Sequence, residues 1–368
     1  MSNRTTKSKV QPSDQALAGC RTIAVDLAKT VFQVAGEDAS GQVIYENRLK
    51  SREAFWNFLR RVPHGVEVLL EPGPGAQAWA RALQETGKPV RLLPAQRVAE
   101  HRSGAKNDRN DAHALLRAGR DCSIHAVPVK SVQALTMQAL HRVRKGCQRR
   151  RTTISNQARG LLMEHGLTLP QGAEMMARRL PGLLEDASVP LPDLLRDLLA
   201  DLLAEWTRLG ERVERMTGQL ERVAKQDECT LRLMTIRGFG PVISTALVAK
   251  QTQPKRFANA RQFAAYFGIV PDQHSSGQRI QLGKMSKRGD GYLRSLVIEG
   301  AHAVLRQVRH DSKQPDDQRL LRWMQRHGRK GAAVRLANRN LRIAWVLLQN
   351  QDRYHRLPVS PQEAMMAD

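Results

Sequence analysis

Four carboxylic acids stand at positions where they could hold divalent cations. Asp26 lies at the end of the apolar run RTIAVDL, Glu71 follows the run VEVLL, and Asp108 and Asp111 lie three residues apart in KNDRNDAHALL. Residues three apart share one face of a helix, and carboxylate oxygens suit Mg²⁺ or Mn²⁺. Two such ions stabilise the attacking and leaving oxygens of a phosphoryl transfer. Each acid alone is explained as well by a helix cap or a turn, but the four together favour a metal site.

A second group of reactive side chains lies between Gly268 and Arg294. Ser275 and Ser276 precede Gly277. Four cations follow them: Arg279, Lys284, Lys287 and Arg288. A serine hydroxyl is a weak nucleophile at its ordinary pKa, although nearby cations can orient a phosphate and offset the charge of its transition state. From chemistry alone, a plain turn with backbone-binding cations is the stronger interpretation, and Tyr292 is better explained by packing than by nucleophilic attack.

Two further patterns are typical of contact with a nucleic-acid backbone. Residues 122–163 contain eight Lys and Arg and no Asp or Glu, which predicts a phosphate-binding helix face. The residues assigned to it are Arg142, Arg144, Lys145, Arg149, Arg150 and Arg151. Gly238 and Gly240, in TIRGFGPVISTALVA, predict the turn of a helix-hairpin-helix, where small residues let a phosphate approach a helix N-terminus. The same spacing also occurs in plain helix turns.

Composition restricts the class of protein. The chain has 59 Lys and Arg against 35 Asp and Glu over 368 residues, a formal net charge of +24, which indicates a polyanionic partner. No stretch approaches the roughly 18 apolar residues of a membrane span, and residues 1–11 lack the apolar run of a signal peptide, so we expect a cytoplasmic, nucleoid-associated protein. The four cysteines form no CxxC pair, which argues against a zinc ribbon. Aromatic residues make up only 4%, so base stacking is not expected to be the main binding device.

The elements that must position these residues form an α/β region followed by a helical one. Strands are predicted at 21–27, 31–36, 42–49, 66–70 and 89–93, and helices at 51–62 and 76–86, which together indicate a mixed sheet covered by helices. Apolar residues between Leu195 and Val223 recur at alternating spacings of four and three, a heptad pattern. That pattern fits equally a dimer and a helical hairpin with residues 131–165. We expect a flexible start (1–20), an acidic α/β domain (21–125), a helical coiled-coil region (126–230), a mainly helical domain (231–350) and a tail (351–368).

These motifs resemble a known family. The frame and its acids are similar to the RNase H-like fold in its RuvC-type branch, and VDLAKTVFQV, LLEPGPGAQAWARAL and KNDRNDAHALL resemble the N-terminal domain of the DEDD transposases of bacterial insertion sequences, the bridge-RNA-guided (seekRNA) recombinases. Asp26, Glu71, Asp108 and Asp111 fall on that family's D, E, D and D. The family's C-terminal SSG segment and its LGxxSKRGDxYLR-like stretch are matched as well, although this chain has HSSGQ where many members have SSGG.

The resemblance implies a function. It implies that Ser276, with Ser275 as the alternative, attacks DNA to form a covalent serine–DNA intermediate beside a Mg²⁺ or Mn²⁺ site. It further implies an element-encoded guide RNA that pairs with donor and target DNA, and a homo-oligomer, dimer or tetramer, with a composite active site. Two alternatives stay open: a junction-resolving nuclease that uses only the four acids and metal-activated water, and a non-enzymatic nucleic-acid-binding protein.

Overall fold

The computed structural model describes residues 13–105, 107–250, 253–274 and 281–355. The chain divides into two compact units, Met1–Ser131 (unit 1) and Val132–Asp368 (unit 2). Among the described residues, no helix combines the length and the apolar character needed to cross a bilayer. The expected domain boundary near residue 125 lies close to this division, whereas the one near residue 230 falls inside unit 2.

Unit 1 is built on a five-stranded mixed sheet in the order β3-β2-β1-β4-β5. Its strands are β1 (Thr22–Leu27), β2 (Phe32–Glu37), β3 (Val43–Leu49), β4 (Glu67–Leu70) and β5 (Val90–Leu92). β1 pairs antiparallel with β2 and parallel with β4, and β4 pairs parallel with β5. The carboxyl ends of β1, β4 and β5 therefore meet at one edge of the sheet, and the predicted mixed α/β architecture is confirmed.

Apolar layers cover both faces of this sheet. The helices of unit 1 are α1 (Asp14–Ala18), α2 (Arg52–Arg61), α3 (Ala76–Glu85), α4 (Ala95–Glu100) and α5 (Asp108–Arg120). Successive strand residues point to opposite faces. Ile23 and Val25 of β1 accordingly join a core with Phe55 of α2, while Ala24 joins a second core with Leu115 of α5. α5 thus lies against the sheet face opposite α2.

Where the structure describes unit 2, its regular elements are α-helices, a short 3₁₀ helix (Pro254–Arg256) and one small hairpin. Its helices are α6 (Val132–Glu164), α7 (Ala173–Glu185), α8 (Asp193–Gln226), α9 (Glu228–Met234), α10 (Pro241–Ala249), α11 (Ala260–Tyr266), α12 (Gly291–Gln307) and α13 (Pro315–Asn350). The last helix is kinked at Gly328, where φ is 68° and ψ is 167°. β6 (Pro271–Gln273) and β7 (Leu282–Met285) pair antiparallel.

The heptad stripe of α8 packs on α6 of the same chain. One core contains Ile154 and Leu162 of α6 together with Leu199 and Trp206 of α8. The two helices run antiparallel, because Arg144 near the start of α6 contacts Thr217 near the end of α8. Of the two alternatives that the heptad pattern left open, the intramolecular hairpin is the arrangement present in unit 2.

A separate core in unit 2 is shared by the five helices from α9 through α13. It is built around large buried side chains such as Phe239, Phe263 and Phe267, and it extends to Leu293 of α12 and Leu341 of α13. Helix α10 contacts both α6 and α8. This helical core supports the short β6–β7 hairpin at its surface.

Candidate catalytic and nucleic-acid-binding sites

The first two predicted acids lie at the same edge of the unit 1 sheet. Asp26 is the fifth residue of β1, and Glu71 directly follows β4. The two strands are parallel, with Val25 opposite Leu70. Because the register places the following residues side by side, Asp26 and Glu71 are neighbours at the carboxyl edge of the sheet.

Helix α5 supplies the other two acids. It begins after Asn107, whose side-chain oxygen accepts a hydrogen bond from the backbone N–H of Asn110 at 2.8 Å, a favourable N-cap. Asp108 and Asp111 occupy the first turn of α5. The buried side chains of Ala112 and Leu115 press the helix against the sheet. Local capping and apolar packing therefore fix where this turn lies.

The electrostatics of Asp26 depends on the other three carboxylates. The pKa of Asp26 rises from 3.8 to about 6, first because burial disfavours its charge and then because of repulsion by Asp111, Asp108 and Glu71, in that order. A like charge raises the pKa of a carboxyl group only at short range. The structure thus places the three other acids that the sequence singled out within electrostatic range of Asp26.

Two arginines balance part of this negative charge. Arg102 Nε donates a hydrogen bond to Asp111 Oδ1 at 2.5 Å, and Arg48 Nη2 lies 3.8 Å from Asp108 Oδ2. Arg48 and Asp108 are exposed, so their pair adds little stability. In the described part of the chain, no three acidic, histidine or cysteine side chains already form a ligand set for a metal ion.

The donor chemistry nevertheless fits a hard cation. Asp26, Glu71, Asp108 and Asp111 offer carboxylate oxygens, which Mg²⁺ and Mn²⁺ prefer. The pKa of Asp26 is raised first by burial and then by the other three acids, so a bound cation would stabilise its charged form. For Asp111 to act as a ligand, its carboxylate would exchange the Arg102 guanidinium for the ion.

One acid near α5 was missed by the sequence reasoning. Glu46 of β3 lies 2.6 Å from His113 Nε2 and accepts a hydrogen bond from Arg109 Nε at 2.9 Å. Burial raises the pKa of Glu46, but the hydrogen bonds from Arg109 and His113 outweigh it and lower the pKa overall. The spacing of Arg109 and His113 on one helix face could have suggested an acidic partner, yet nothing in the sequence identifies Glu46 as that partner.

The predicted nucleophile lies outside the described residues, as do its alternative Ser275 and the cation Arg279. What is described is the hairpin on either side of Ser276. Pro271 of β6 pairs with Met285 of β7, so residues 275–280 belong to the segment that connects these two strands.

The SKRGD stretch after this hairpin is a tightly packed loop. Gly289 has φ of 84°, and a side chain there would collide with the carbonyl oxygen of Tyr266 at the end of α11. Asp290 caps α12 by accepting from the backbone N–H of Tyr292 at 3.0 Å and also pairs with Lys250 Nζ at 2.8 Å. Burial raises the pKa of Asp290, but Lys250 outweighs this effect and leaves the pKa lowered.

Three predicted cations remain at the surface beside this loop. Lys284, Lys287 and Arg288 are exposed, and Arg288 Nη2 lies 3.7 Å from Asp272 Oδ1. Lys287 adopts a left-handed backbone with φ of 55°. The packed part of the motif thus presents cations toward solvent, where a phosphate could reach them.

The cations of α6 divide into two sets. Arg142, Arg149 and Arg150 are exposed. The other three are engaged within the chain: Arg144 Nε donates to Thr217 Oγ1 at 2.8 Å, Lys145 Nζ lies 4.7 Å from the ring centroid of Tyr292, and the Arg151 guanidinium lies 3.6 Å from that of Trp206. Packing therefore accounts for half of the predicted phosphate-binding residues on this helix.

The two glycines of the predicted helix-hairpin-helix also differ. The turn lies between α9 and α10, as expected, and Gly238 there has φ of 92°. A Cβ on Gly238 would lie 2.8 Å from Val304 Cγ2 and 2.9 Å from the carbonyl oxygen of Gly300, both in α12. A Cβ on Gly240 would meet no atom within 4 Å. Helix packing explains Gly238, whereas Gly240, at the N-cap of α10, is open to a ligand.

Tyr292 has a packing role, as expected. Its hydroxyl lies 3.0 Å from His141 Nδ1, and His141 Nε2 lies 3.1 Å from Thr245 Oγ1. Burial, with a smaller contribution from Arg144, lowers the pKa of His141 to about 4. A neutral imidazole therefore links α6, α10 and α12 at neutral pH.

Comparison with known proteins identifies the family. The sequence profile of the DEDD transposases of the IS110 type matches residues 23–166, and that of the transposase IS116/IS110/IS902 family matches residues 231–316. The first match spans the four carboxylates and the whole of α6. The second spans the glycine turn and the β6–β7 hairpin.

Full-length relatives agree with these matches. The chain is 39% identical over 337 residues to a probable family 20 transposase of Pseudomonas aeruginosa, covering 90% of this chain and 98% of that protein. It is 35% identical to the transposase for insertion sequence element IS1111A of Coxiella burnetii, covering 92% and 93%. It is 33% identical to the transposase for IS1328 of Yersinia enterocolitica, covering 88% and 96%. The chain belongs to the IS110-type transposase family.

Proposed function

We propose that this transposase cleaves and exchanges DNA strands with a divalent-metal site at Asp26, Glu71, Asp108 and Asp111 and with Ser276 as nucleophile. The observation that carries the metal site is the raised pKa of Asp26, which burial causes first and to which three nearby carboxylates add. Without bound cations, the negative charges of such a site are only partly neutralised. When bound, Mg²⁺ or Mn²⁺ would stabilise the attacking and leaving oxygens at phosphorus.

The protein's own residues hold this site in place. The sheet edge fixes Asp26 and Glu71, and the capped start of α5 fixes Asp108 and Asp111. Arg102, which donates a hydrogen bond of 2.5 Å to Asp111, would give way to the cation, whereas the sheet edge and the helix cap would stay in place. This preorganisation limits how far the carboxylates must move when cations and substrate phosphate arrive.

The serine step conserves phosphodiester energy. The Oγ of Ser276 forms a bond to phosphorus as the bond from phosphorus to one DNA oxygen breaks, and that oxygen leaves with a proton. Reversal on another strand end restores the serine and makes the new junction without ATP. Support comes from the family membership and from the hairpin with exposed cations that flanks Ser276; Ser275 is the alternative nucleophile.

A guide RNA would supply sequence recognition. The resemblance of the motifs to bridge-RNA-guided recombinases supports an element-encoded RNA that pairs with donor and target DNA, bound by a dimer or tetramer of this chain. A protein of charge +24 with 4% aromatic residues suits backbone recognition of this kind, since phosphate contacts carry affinity without reading bases.

A covalent adduct is the decisive measurement. Labelled donor DNA is incubated with the protein, its guide RNA and Mg²⁺, and then separated on a denaturing gel. We expect wild type to leave protein on one DNA end, and Ser276→Ala to abolish the adduct with all four carboxylates intact. An adduct that persists in Ser276→Ala but vanishes in Ser275→Ala would move the assignment by one residue.

The same gel tests the rival function. A junction-resolving nuclease would need only the four acids and metal-activated water, so it would release free DNA ends and Ser276→Ala would still cut. Cutting without any adduct in wild type would refute the covalent mechanism and support this rival.

A further inference from the structure

A large groove in unit 2 has no assigned role. It has a volume of about 1230 Å³ and lies between the β6–β7 hairpin, the second half of α13 and the chain that follows α13. Its walls include Pro271, Lys284 and Met285 from the hairpin and Arg335 and Arg342 from the helix. The groove is thus formed partly by the two strands whose connecting segment contains Ser276.

One side of the groove is fixed by an ion-pair network. Arg339 Nη2 lies 3.0 Å from Asp316 Oδ1, and the hydroxyl of Tyr354 donates to Asp316 Oδ2 at 3.2 Å. Arg319 also pairs with Asp316, at 3.6 Å. These contacts tie the chain after α13 to the start of that helix, so the groove keeps its shape without a ligand.

Other cations of the groove have no such partner. Among the described residues, no carboxylate forms an ion pair with Lys284, Arg335 or Arg342, and all three side chains are exposed. Arg335 and Arg342 are seven residues apart, two helical turns, which places them on one face of α13 about 10 Å from each other. Asp352 is the one acid among the described residues that line the groove. The groove therefore presents a row of uncompensated positive charge.

Apolar side chains complete the lining. Trp323, Ile343 and Val346 lie on α13, and Val346 is 39% exposed. Cations beside a half-buried indole and aliphatic groups suit a chain that has both phosphates and unstacked bases. A duplex would bury its bases away from such a surface, so a single strand fits the lining better.

We propose that this groove binds single-stranded DNA and brings the strand to the β6–β7 hairpin. The proposal rests on the proposed serine mechanism for its role, but the binding itself does not require it. Arg335, Arg342 and Lys284 contact phosphates, and Trp323 stacks against a base. DNA is the occupant because the hairpin that carries the predicted DNA-attacking serine forms one wall.

Charge reversal in the groove tests the proposal in the full-length protein. The Arg335→Glu/Arg342→Glu variant should bind a short fluorescent single-stranded DNA of mixed sequence at least about tenfold more weakly at low salt. Its slope of log affinity against log salt should become shallower by about 1.4, because two phosphate contacts are lost. Binding of the matching duplex should fall less.

A matched control separates the groove from general charge. Arg208→Glu/Arg212→Glu changes two exposed residues of α8 and, like the groove variant, lowers the formal net charge from +24 by four. We expect it to change affinity by less than about twofold. Equal losses in both double variants would overturn the proposal, as would a larger loss for RNA of the same sequence than for DNA.

Folding and mechanism are checked separately. Arg335→Gln/Arg342→Gln removes the charges without introducing repulsion, and it should show the same shallower salt slope with an unchanged melting temperature; an unchanged slope would contradict the groove. If wild type forms no serine–DNA adduct while the groove variants still lose single-strand binding, the proposed serine mechanism fails and the groove assignment stands. If wild type forms the adduct while the groove variants bind single-stranded DNA as wild type does, the serine mechanism stands and the groove assignment fails.

Discussion

The acidic edge of unit 1 and the basic helix α6 of unit 2 use their charges in different ways. At the edge, burial and then the repulsion of three nearby carboxylates raise the pKa of Asp26 to about 6. On α6, cations are spread along the helix, and Arg151 is stacked 3.6 Å from the Trp206 ring centroid. The edge of unit 1 concentrates negative charge that Arg102 and Arg48 balance only in part. Helix α6 instead packs some of its cations against aromatic and hydroxyl groups.

This difference shows when a charge pattern indicates function. Like charges held together against their own repulsion oppose folding, so their retention points to a bound counter-ion. A run of arginines along a helix needs no such explanation, because their long aliphatic stems pack well while the charge stays near solvent. Convergence in space is therefore stronger evidence than abundance in sequence.

The largest expected effect is on strand cleavage. Asp26→Asn and Asp111→Asn should each reduce cleavage in Mg²⁺ to background while changing nucleic-acid binding only a few-fold, because an amide loses metal affinity without repelling phosphate. A cleavage assay beside a binding titration measures both. Asp121→Asn, at the far end of α5, is the control and should cut normally. Full cleavage by Asp26→Asn would rule out the proposed metal site.

The glycine turn tests the same distinction between packing and ligand contact. Gly238→Ala should lower the free energy of unfolding by about 2 to 4 kcal/mol, because its left-handed backbone and the approach of α12 both exclude a Cβ. Gly240→Ala should be nearly neutral in stability. Denaturant titration of both variants measures this. Equal stability of the two would show that Gly238 is not needed for packing.

The exposed and the stacked arginines of α6 should differ in their effects on duplex binding and on stability. Arg149→Glu/Arg150→Glu should weaken duplex binding and make its salt slope shallower by about 1.8. Arg151→Ala should leave that slope unchanged but lower stability by about 1 to 2 kcal/mol, since the contact with Trp206 is lost. Salt-dependent binding and thermal unfolding distinguish the two. If the salt slope of duplex binding changed only in Arg151→Ala, then Arg151, and not Arg149 or Arg150, would contact phosphate.

The smallest effect is the pH dependence of stability. The pKa of Asp26 is raised from 3.8 to about 6, so the folded state holds this proton more tightly than the unfolded chain does. The resulting stabilisation is full below the unfolded pKa and is lost as pH rises through about 6. Above that pH, Asp26→Asn should be more stable than wild type by about 1 to 2 kcal/mol, a value reduced for the partial exposure of Asp26.

Added Mg²⁺ gives a control for this difference that does not depend on cleavage. The ion should raise the melting temperature of wild type above pH 6 more than that of Asp26→Asn, because it neutralises the repulsion among the carboxylates. Parallel pH profiles of the two proteins, with equal responses to Mg²⁺, would mean that the four acids are not coupled.

The strands and helices of unit 1 could be predicted closely from the sequence. The runs 21–27, 42–49 and 66–70 correspond to Thr22–Leu27, Val43–Leu49 and Glu67–Leu70. This agreement has a local cause, since alternating β-branched residues and a helical apolar period select their own backbone geometry. The carboxylates were predictable for a related reason: each lies at a strand end or a capped helix start, where a polar side chain is expected to emerge.

What the sequence by itself determined is therefore the set of local elements, the four acids and the excess of cations. Tertiary structure alone decided which partner the heptad stripe of α8 packs on, which arginines of α6 remain exposed, and why Gly238 must be glycine. Each of these depends on a residue far away in the chain: Trp206 for Arg151, Gly300 for Gly238. Periodicity and spacing describe one element at a time, whereas packing is set by the shape and charge of the element that lies against it.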